Sequence, residues 1–322
     1  MRRHALVVLS LTLSTLAACM VRASPTDKSV ERTLPFASAP TTLPRQLRVV
    51  TFNVHRESPD VLIRGIRSDR TLLDADLIIL QEVHRVEPSA DPCSAACALG
   101  KELHMYTHYA PGHVQGDGTD GVAILSHAPI LDSEVLELPD IDVHVNSGRR
   151  VALASTILVD GTPVTVYAVH LTNRLTVKER LRQMRPILEH AKQKSTPIIM
   201  AGDFNTSPYT WLGGLIPIPI GTQDDHLEDM VRSYGLETPV ATVDATSRFM
   251  NMKLDAIYTR GFATYAFATS NADSISDHLA LWANVELRPS TASAKVAPCR
   301  STSSATSCVP GASSARVASS RF

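Results

Sequence analysis

Side chains that could carry acid–base or metal chemistry stand at the ends of apolar runs in this sequence. Six runs end in this way. The set comprises Asn53, Glu82, His170, Asp203, Asn205, Asp255, Asp277 and His278. Because a lone buried carboxylate is costly, proteins normally pair it, protonate it or bind a metal to it. We therefore expect these run ends to converge on one polar site.

The carboxylates of this set also indicate which cation the site would bind. Glu82, Asp203, Asp255 and Asp277 would repel one another on converging, unless a hard divalent cation lay among them. Carboxylate oxygens favour Mg²⁺ or Mn²⁺, whereas Zn²⁺ is more often held by nitrogen and sulfur. The sequence therefore predicts a Mg²⁺ or Mn²⁺ site.

The apolar runs have the length and the flanking turn residues of β-strands. They cover residues 47–52, 77–80, 121–125, 151–158, 164–169, 198–200 and 254–258. Apolar residues recur at helical spacing between residues 176 and 194, which predicts a helix there. Gly161-Thr162-Pro163 lies between two strand runs and predicts a hairpin turn. Adjacent strand pairs together with strand–helix–strand units predict mixed β-sheets with helices packed outside.

Composition excludes several classes of protein. The chain has 322 residues, of which 44% are hydrophobic, so it can bury one sizeable core or two small ones. Neither a wholly disordered nor a fibrous protein fits these values. The formal net charge is −1, which does not favour a protein that binds nucleic acid mainly through charge.

The N-terminus has the layout of an export signal. Arg2 and Arg3 precede an apolar stretch that ends in small residues, which predicts a signal peptide over residues 1–18. Leu16-Ala17-Ala18-Cys19 resembles the lipobox of bacterial lipoproteins. This resemblance implies cleavage before Cys19 and acylation of Cys19, which would anchor an exported protein to a membrane. Cleavage near Ala23 would instead give a secreted protein.

The other four cysteines agree with an oxidising compartment. Cys93 with Cys97 and Cys299 with Cys308 are the simplest disulfide pairs. A zinc site is the alternative, but the residues around Cys299 supply neither a second close pair nor suitably spaced histidines. We therefore expect two local disulfides.

Composition divides the chain into four parts. After the signal peptide, residues 19–45 comprise the lipobox cysteine and a Ser/Thr/Pro-rich segment, which predicts a flexible tether. Residues 46–288 carry the strand and helix patterns and form the predicted domain. Residues 289–322 are rich in Ser, Ala and Thr and contain no acidic residue, which predicts a disordered tail. Nothing in these segments implies an obligate protein partner.

The order of the motifs resembles a known family. TFNVHR, DADLIILQEV, DGVAILS, VYAVHL, GDFN, LDAIY and SDH follow one another between Leu47 and His278. In this order they resemble the endonuclease/exonuclease/phosphatase superfamily of metal-dependent, deoxyribonuclease I-like phosphoesterases. The resemblance implies an α/β (α+β) four-layer sandwich, in which two packed mixed β-sheets are flanked by helices.

The same resemblance assigns the metal and substrate ligands. It implies that Glu82 is the principal Mg²⁺ ligand, that Asn53 shapes the metal and phosphate site, and that Asp277 supports it. Arg150 and Asn173 are candidates for substrate contact. Their side chains offer the hydrogen-bond donors that a phosphate group needs.

It also assigns the catalytic residues. Asp203 would orient or deprotonate the attacking water, and Asn205 would bind a phosphate oxygen. His278 would contact the scissile phosphate, with Asp255 as the carboxylate that orients it. His170 matches a second active-site histidine of the deoxyribonuclease and sphingomyelinase branches. A histidine paired with a carboxylate can serve as an acid or stabilise charge near neutral pH.

Each residue also has a simpler interpretation when taken alone. Asn53 could cap a turn, Asp255 could pair with Lys253 or Arg260, and His170 could be a structural histidine. At the level of the whole chain, a noncatalytic surface module or a phosphomonoesterase on the same fold is the alternative. The function favoured by the ordered motifs is an exported, metal-dependent phosphodiesterase whose substrate is a nucleic acid or a phospholipid head group.

Overall fold

The computed structural model describes residues 23–33, 39–87, 93–141, 148–173, 175–206, 208–212, 216–219, 224–248, 251–270 and 275–289. Internal contacts divide the chain into a main unit, Met1–Arg288, and a C-terminal unit, Pro289–Phe322. The predicted disordered tail lies outside the described residues, apart from Pro289. The predicted signal peptide and Cys19 also lie outside them.

Within the described residues the main unit forms fourteen β-strands and five α-helices. The strands are β1 (Glu31–Arg32), β2 (Gln46–Asn53), β3 (Leu77–Val86), β4 (Tyr106–Gln115), β5 (Gly118–Ser126), β6 (Ile130–Glu137), β7 (Val151–Val159), β8 (Thr162–His170), β9 (Ile198–Asp203), β10 (Tyr209–Leu212), β11 (Ile216–Pro219), β12 (Asp255–Arg260), β13 (Phe262–Ser270) and β14 (Ala280–Leu287). The helices are α1 (Pro59–Ser68), α2 (Arg70–Leu73), α3 (Ala95–Leu103), α4 (Val177–Gln193) and α5 (Asp224–Ser233).

Most strands belong to one of two mixed sheets. A seven-stranded sheet has the order β1-β4-β5-β3-β2-β14-β13, and a five-stranded sheet has the order β12-β9-β8-β7-β6. Strands β10 and β11 form a separate two-stranded sheet. Each large sheet contains one parallel pair, β2 with β3 and β8 with β9. The prediction of mixed sheets is therefore confirmed.

The two large sheets pack against each other through a shared hydrophobic core. Val49 of β2, Val166 of β8 and Ile187 of α4 belong to this core. Val50 lies on the opposite face of β2, because successive strand residues point to opposite sides, and it packs in a second core with Leu62 of α1. The layers are therefore helices, seven-stranded sheet, five-stranded sheet and helices, which confirms the predicted four-layer sandwich.

Helix α4 forms where the sequence predicts it, and the β7–β8 hairpin turns at Asp160-Gly161, since Thr162 and Pro163 of the predicted turn belong to β8. Thr176 caps α4, since its Oγ1 accepts a hydrogen bond from Glu179 N while Glu179 Oε2 accepts one from Thr176 N at 2.9 Å. This reciprocal capping box satisfies backbone donors that a helix start leaves open. Gly161 has a φ of 71° in the hairpin turn, a conformation that glycine adopts without steric cost.

Part of the predicted tether belongs to the folded domain. Strand β1 pairs with β4, with Arg32 opposite His108. Leu43 is only 1% exposed and forms a bridge with Val159 of β7. The prediction of a flexible tether is wrong for these residues, because strand pairing and one buried leucine hold a segment whose composition is mostly polar. The folded domain therefore starts before Gln46.

One of the two expected disulfides lies in the described part of the chain. Cys93 and Cys97 are bonded to each other at the start of α3, which confirms this pair. Cys299 and Cys308 lie outside the described residues. No helix among the described residues combines the length and the apolar character needed to cross a bilayer.

A buried histidine makes the stability of the fold depend on pH. Burial, together with the charge of Arg32, lowers the pKa of His108 to about 4, and its Nδ1 lies 2.6 Å from Ser133 Oγ. The unfolded chain, with an ordinary histidine pKa near 6.5, binds this proton more readily. Stability is thus complete above pH 6.5, and we expect it to fall by about 1–3 kcal/mol toward pH 4.

Thermal unfolding of His108→Asn, measured between pH 4 and pH 7, checks this expectation. Asparagine can keep a hydrogen bond to Ser133 but does not titrate, so the fall in Tm should become shallower than in the wild type. His226→Asn on the exposed face of α5 is the matched control and should keep the wild-type slope. An unchanged slope in His108→Asn would show that other groups cause the pH dependence.

Candidate active site

The carboxyl ends of the two parallel strand pairs meet at one edge of the sandwich. Strand β2 ends at Asn53 beside Glu82 of β3, and strands β8 and β9 end at His170 and Asp203. Asn53 Nδ2 donates to Asp203 Oδ2 at 3.0 Å, and His170 Nε2 lies 4.0 Å from Glu82 Oε1. The two sheets therefore bring these four residues together, as the sequence predicts.

Asn53 links the two sheets within this cluster. Its side chain is 1% exposed, and Nδ2 also donates to Glu82 Oε1 at 3.3 Å. Its Oδ1 accepts a hydrogen bond from His55 N at 3.0 Å. Turn capping, the simpler interpretation of Asn53, accounts only for the His55 contact. The other two contacts hold a carboxylate of each sheet in place.

An irregularity in β3 directs Glu82 into the cluster. The pairing of β3 with β5 shifts register between Leu80 and Val83, as in a β-bulge, and Glu82 has a φ of 51°. Bulges commonly redirect a side chain next to an active site. The preceding residue, Gln81, points elsewhere: its Nε2 donates a hydrogen bond to Thr51 Oγ1 at 3.1 Å.

Positive φ angles are concentrated around the cluster. His55, Arg56, Glu82 and Asn205 account for four of the seven non-glycine residues with positive φ among those described. Each such conformation costs about 1–3 kcal/mol, and it persists only where the surroundings enforce it. Such strain is typical of functional sites, so the backbone agrees with the side-chain geometry.

Asp203 lies at the centre of the cluster because β9 can approach β8 closely at Gly202. A Cβ at Gly202 would come within 1.9 Å of Val169 O, so this position requires glycine. Asp203 Oδ1 accepts a hydrogen bond from Asn205 N at 2.8 Å. Burial, together with the neighbouring Asp255, raises the pKa of Asp203 to about 7. This carboxylate can therefore exchange a proton near neutral pH.

His278 and Asp255 form a buried charged pair beside Asp203. His278 Nδ1 lies 2.8 Å from Asp255 Oδ2, and its Nε2 lies 3.8 Å from Asp203 Oδ2. Burial alone would lower the pKa of His278, but the carboxylates of Asp255 and Asp203 outweigh it and raise the pKa to about 10. His278 is thus cationic at neutral pH. Asp255 pairs with His278 rather than with Lys253, which binds Asp224 and Glu228.

His170, by contrast, is neutral. Burial and the adjacent Arg150 hold the pKa of His170 well below its usual value. Arg150 Nη1 lies 3.1 Å from His170 Nδ1, and because a guanidinium only donates, Nδ1 must accept. The ring proton therefore lies on Nε2, which is 3.6 Å from Asp203 Oδ2. This arrangement is more specific than that of an isolated structural histidine.

The remaining predicted site residues lie around this core. Asn205 Nδ2 donates to Leu171 O at 3.0 Å. Asn173 Oδ1 is buried and has no hydrogen-bond partner among the described residues. Asp277 is exposed and adds to the charge that raises the pKa of its neighbour His278. Its role in metal binding stays a prediction.

Arg150 lies beside His170, a contact that the sequence did not predict. It is 9% exposed and its main contact is His170, so the structure shows it positioning a histidine. The sequence made Arg150 a candidate for substrate contact; it directly precedes β7 and is buried. It also lines an open pocket with His113 and Asp120. Contact between Arg150 and a substrate in that pocket stays a prediction.

Two groups of side chains could hold a divalent cation. Ligand atoms of Asp203, Asp255 and His278 lie within 4.8 Å of one another. In that group, however, protonated His278 already compensates the carboxylates. Glu82 fits a cation better, because its Oε2 accepts no hydrogen bond even though Arg56 Nη1 lies 3.2 Å away. The oxygen donors of Glu82 and Asn53 suit a hard cation such as Mg²⁺ or Mn²⁺.

Three residues of the site are missing from the sequence prediction. His113 Nε2 lies 3.8 Å from Asp120 Oδ2, which in turn is 3.5 Å from Arg56 Nη1. Asp120 directly precedes a predicted strand, so attention to the starts of antiparallel strands could have found it. Arg180 of α4 is 1% exposed, and Asp203 acts on it electrostatically. No sequence signal separates Arg180 from the solvated charges of a surface helix.

The fold and the site together define a class of protein. The edge of this four-layer sandwich carries carboxylates, an amide and a carboxylate-paired histidine, which are groups that hydrolysis of a phosphoester can use. The chain is a member of the endonuclease/exonuclease/phosphatase family, whose sequence model matches residues 50–278. Members of this family are phosphoesterases and nucleases.

Solved structures with the same fold come from distant organisms. An endonuclease/exonuclease/phosphatase from Beutenbergia cavernae shares 22% identity with a TM-score of 0.60, covering 76% of this chain and 72% of its own. A family protein from Leptotrichia buccalis shares 19% identity with a TM-score of 0.57, covering 75% and 100%. D. rerio TDP2 complexed with a single-strand DNA product shares 15% identity with a TM-score of 0.52, covering 75% and 99%. No curated protein sequence matches the chain.

Proposed function

We propose that this protein is a divalent-metal-dependent phosphodiesterase. The observation that carries the proposal is the cluster around Asn53, where Glu82 and Asp203 meet the cationic His278. A phosphodiester requires a positioned water, positive charge near its oxygens and stabilisation of the leaving oxygen. The cluster has a side chain suited to each requirement, which a noncatalytic module would not need to keep.

In this proposal each residue has a separate task. Glu82 and Asn53 would hold a Mg²⁺ or Mn²⁺ ion, which neutralises phosphate charge when bound. Asp203 orients a water and accepts its proton, for which a pKa of about 7 is suitable. Asn205 donates to a phosphate oxygen. His170 holds Asp203 in place through Nε2.

His278 completes the reaction at the leaving oxygen. A new P–O bond forms to the oxygen of the water while the P–O bond to the leaving alcohol breaks. The proton on Nε2 of His278 stabilises the departing oxygen and can be transferred to it, while Asp255 holds the ring through Nδ1. The products are a phosphomonoester and an alcohol.

Hydrolysis of bis(p-nitrophenyl) phosphate by the full chain tests this proposal. We expect nitrophenolate release with Mg²⁺ or Mn²⁺ and none with EDTA. Plasmid DNA and a phospholipid, assayed in parallel, show whether the natural substrate is a nucleic acid or a phospholipid. Hydrolysis of p-nitrophenyl phosphate tests the phosphomonoesterase alternative. A folded protein that hydrolyses neither model ester with any metal would support a binding module instead.

We also propose that the protein is exported and held at a membrane through an acylated Cys19. The signal-like N-terminus supports this, and the Cys93–Cys97 disulfide agrees with an oxidising compartment. The full chain should fractionate with membranes, and Cys19→Ser should abolish its labelling with a radioactive fatty acid. Absence of label on the wild type would favour secretion after cleavage near Ala23.

Arg180 provides a test of how the fold supports Asp203. Its Nε, Nη1 and Nη2 are buried without a hydrogen-bond partner among the described residues, an arrangement that costs stability. Burial lowers the pKa of Arg180 to about 10, whereas Asp203 and Glu179 favour its charge. Glu179 also accepts a hydrogen bond from Thr176. We therefore infer that the main electrostatic partner of Arg180 is Asp203.

We expect Arg180→Met to lower kcat roughly tenfold or more while leaving Tm unchanged or higher, because replacing a poorly paired buried ion by an apolar side chain is often neutral or stabilising. Arg180→Lys should restore part of the activity. Arg182→Met, an exposed arginine on the same helix, is the matched control and should change neither quantity. A parallel loss of Tm and kcat in Arg180→Met would show a purely structural role.

A further inference from the structure

An uncharged hairpin follows the candidate active site directly in the chain. Strand β10 starts at Tyr209, four residues after Asn205, and pairs with β11 as a sheet of its own. The sequence from Asn205 to Gln223 contains no Asp, Glu, Lys or Arg. Residues 46–288 contain no other uncharged stretch of this length. The hairpin therefore differs in composition from the rest of the domain.

Apolar side chains of this hairpin point into solvent. Ile216 is 57% exposed and Ile218 is 40% exposed. Being two residues apart on one strand, they lie on the same face of β11. Contiguous exposed apolar surface marks interaction sites, whereas apolar side chains scattered singly are common on any protein surface. The uncharged sequence around them provides no partner for an ionic surface.

The outer edge of the hairpin is unsuited to pairing with another strand. Strand β11 has the sequence Ile-Pro-Ile-Pro, and Pro217 and Pro219 lack the N–H that a further strand would need. Prolines at alternate positions of an edge strand prevent strand addition. This argues against pairing of a second copy or a peptide with the β11 edge.

A lipid surface matches these properties. Acyl chains require neither charged partners nor hydrogen bonds, and tryptophan and tyrosine are enriched where a bilayer meets water. Trp211 and Tyr209 belong to β10 and pair with Pro217 and Pro219, on the opposite face of the hairpin from Ile216 and Ile218, so neither face of the hairpin carries a charge. Inserting Ile216 and Ile218 would remove their exposed apolar surface from water. The low net charge of the chain agrees with insertion that does not depend on anionic lipid.

We propose that the β10–β11 hairpin inserts into the surface of a lipid bilayer and presents the adjacent site to the phosphodiester of a phospholipid head group. The substrate assignment rests on the phosphodiesterase proposed above, whereas the insertion does not. The hairpin and Asn205 are joined by a short segment, so an inserted hairpin holds the catalytic cluster close to the head groups. The neutral interface also disfavours a nucleic-acid substrate at this face.

Tryptophan fluorescence tests the insertion in the full chain. The chain contains two tryptophans, Trp211 in the hairpin and Trp282 on β14. In Trp282→Phe, vesicles of phosphatidylcholine brominated on its acyl chains should quench Trp211 by at least about half. In Trp211→Phe the same vesicles should leave Trp282 almost unquenched. Because the readout is local, a lipid anchor at Cys19 does not produce it.

Substitutions on β11 decide whether the isoleucines cause the insertion. In the Trp282→Phe background, Ile216→Asp and Ile218→Asp should each weaken partitioning of the protein into vesicles roughly tenfold or more. The variant that carries both substitutions should show no quenching of Trp211. Leu131→Asp on β6 is the matched control, since Leu131 is 56% exposed, and it should leave quenching intact. An absence of quenching in Trp282→Phe, or quenching that survives both aspartates, would overturn the proposal.

Activity measurements separate this proposal from the proposed chemistry. The Ile216→Asp/Ile218→Asp protein should hydrolyse the soluble diester bis(p-nitrophenyl) phosphate like the wild type while losing activity on phospholipid in vesicles. If the vesicles quench Trp211 but the protein hydrolyses neither the soluble diester nor phospholipid, the proposed insertion stands and the proposed phosphodiesterase activity is wrong. If the aspartates dissolve a dimer seen by ultracentrifugation and no quenching occurs, the hairpin binds a second copy and not lipid.

Discussion

Replacement of Glu82 by glutamine is expected to lower hydrolysis of a soluble phosphodiester roughly 10³-fold, because a bound cation stabilises the transition state by several kcal/mol. Glutamine has nearly the same shape and can keep the hydrogen bond from Asn53 Nδ2 through its amide oxygen. It lacks the negative charge that a divalent cation requires. The change therefore removes the charge of the site while retaining most of its packing.

Binding of Mn²⁺ followed by titration calorimetry supplies a readout besides activity, and Glu82→Gln should bind Mn²⁺ roughly tenfold or more weakly. Glu189→Gln, an exposed carboxylate on α4, is the matched control for loss of one negative charge. Equal Mn²⁺ affinity in wild type and Glu82→Gln would indicate that the cation binds at Asp203, Asp255 and His278 instead. The Tm of the variant shows whether the fold is intact.

His278→Gln should reduce kcat roughly 10²–10⁴-fold, the range usual for an acid–base group. His278 is the cationic histidine of the cluster, and Asp255 keeps it so through the 2.8 Å contact with Nδ1. Asp255→Asn should also impair turnover, since the ring loses both its orientation and its ionic partner. Asp255 therefore acts through His278 rather than on the substrate.

The double variant makes this relation measurable. Because Asp255 acts through His278, Asp255→Asn should add almost nothing once His278→Gln is present, which is the non-additivity expected of coupled residues. The comparison uses kcat/KM for bis(p-nitrophenyl) phosphate in both single variants and the double variant. His226→Gln serves as an exposed control. Fully additive losses would assign Asp255 a separate function, such as binding a cation directly.

The sequence predicts the strands of the sandwich unevenly. Strands buried on both faces, such as β8 and β9, are continuous apolar runs and are recognised readily. Strand β4 was not predicted, because Pro111 and Gly112 interrupt it and its burial depends on contacts with β5. Tertiary pairing, which local sequence does not encode, decides such elements.

The site could be predicted where chemistry coincides with the end of an apolar run. Asn53, His170 and Asp203 satisfy this rule, since parallel strands place their carboxyl ends at the same edge. Arg180 does not, because a helix pattern marks its apolar face and leaves arginines to solvent by default. The contact between Arg150 and His170 was also not predicted, as the sequence does not show which way a residue before a strand turns.

The hydrogen bond between Asn53 and Asp203 joins residues that are 150 positions apart in the chain and belong to different sheets. Neither sheet holds the complete site by itself, so the site forms only when the sheets dock. Contacts of such sequence separation are slow to form during folding. A ligand of this edge binds the native state alone and stabilises it by mass action. During refolding, recovery of catalysis should therefore lag behind recovery of β-structure and report the docking of the two sheets.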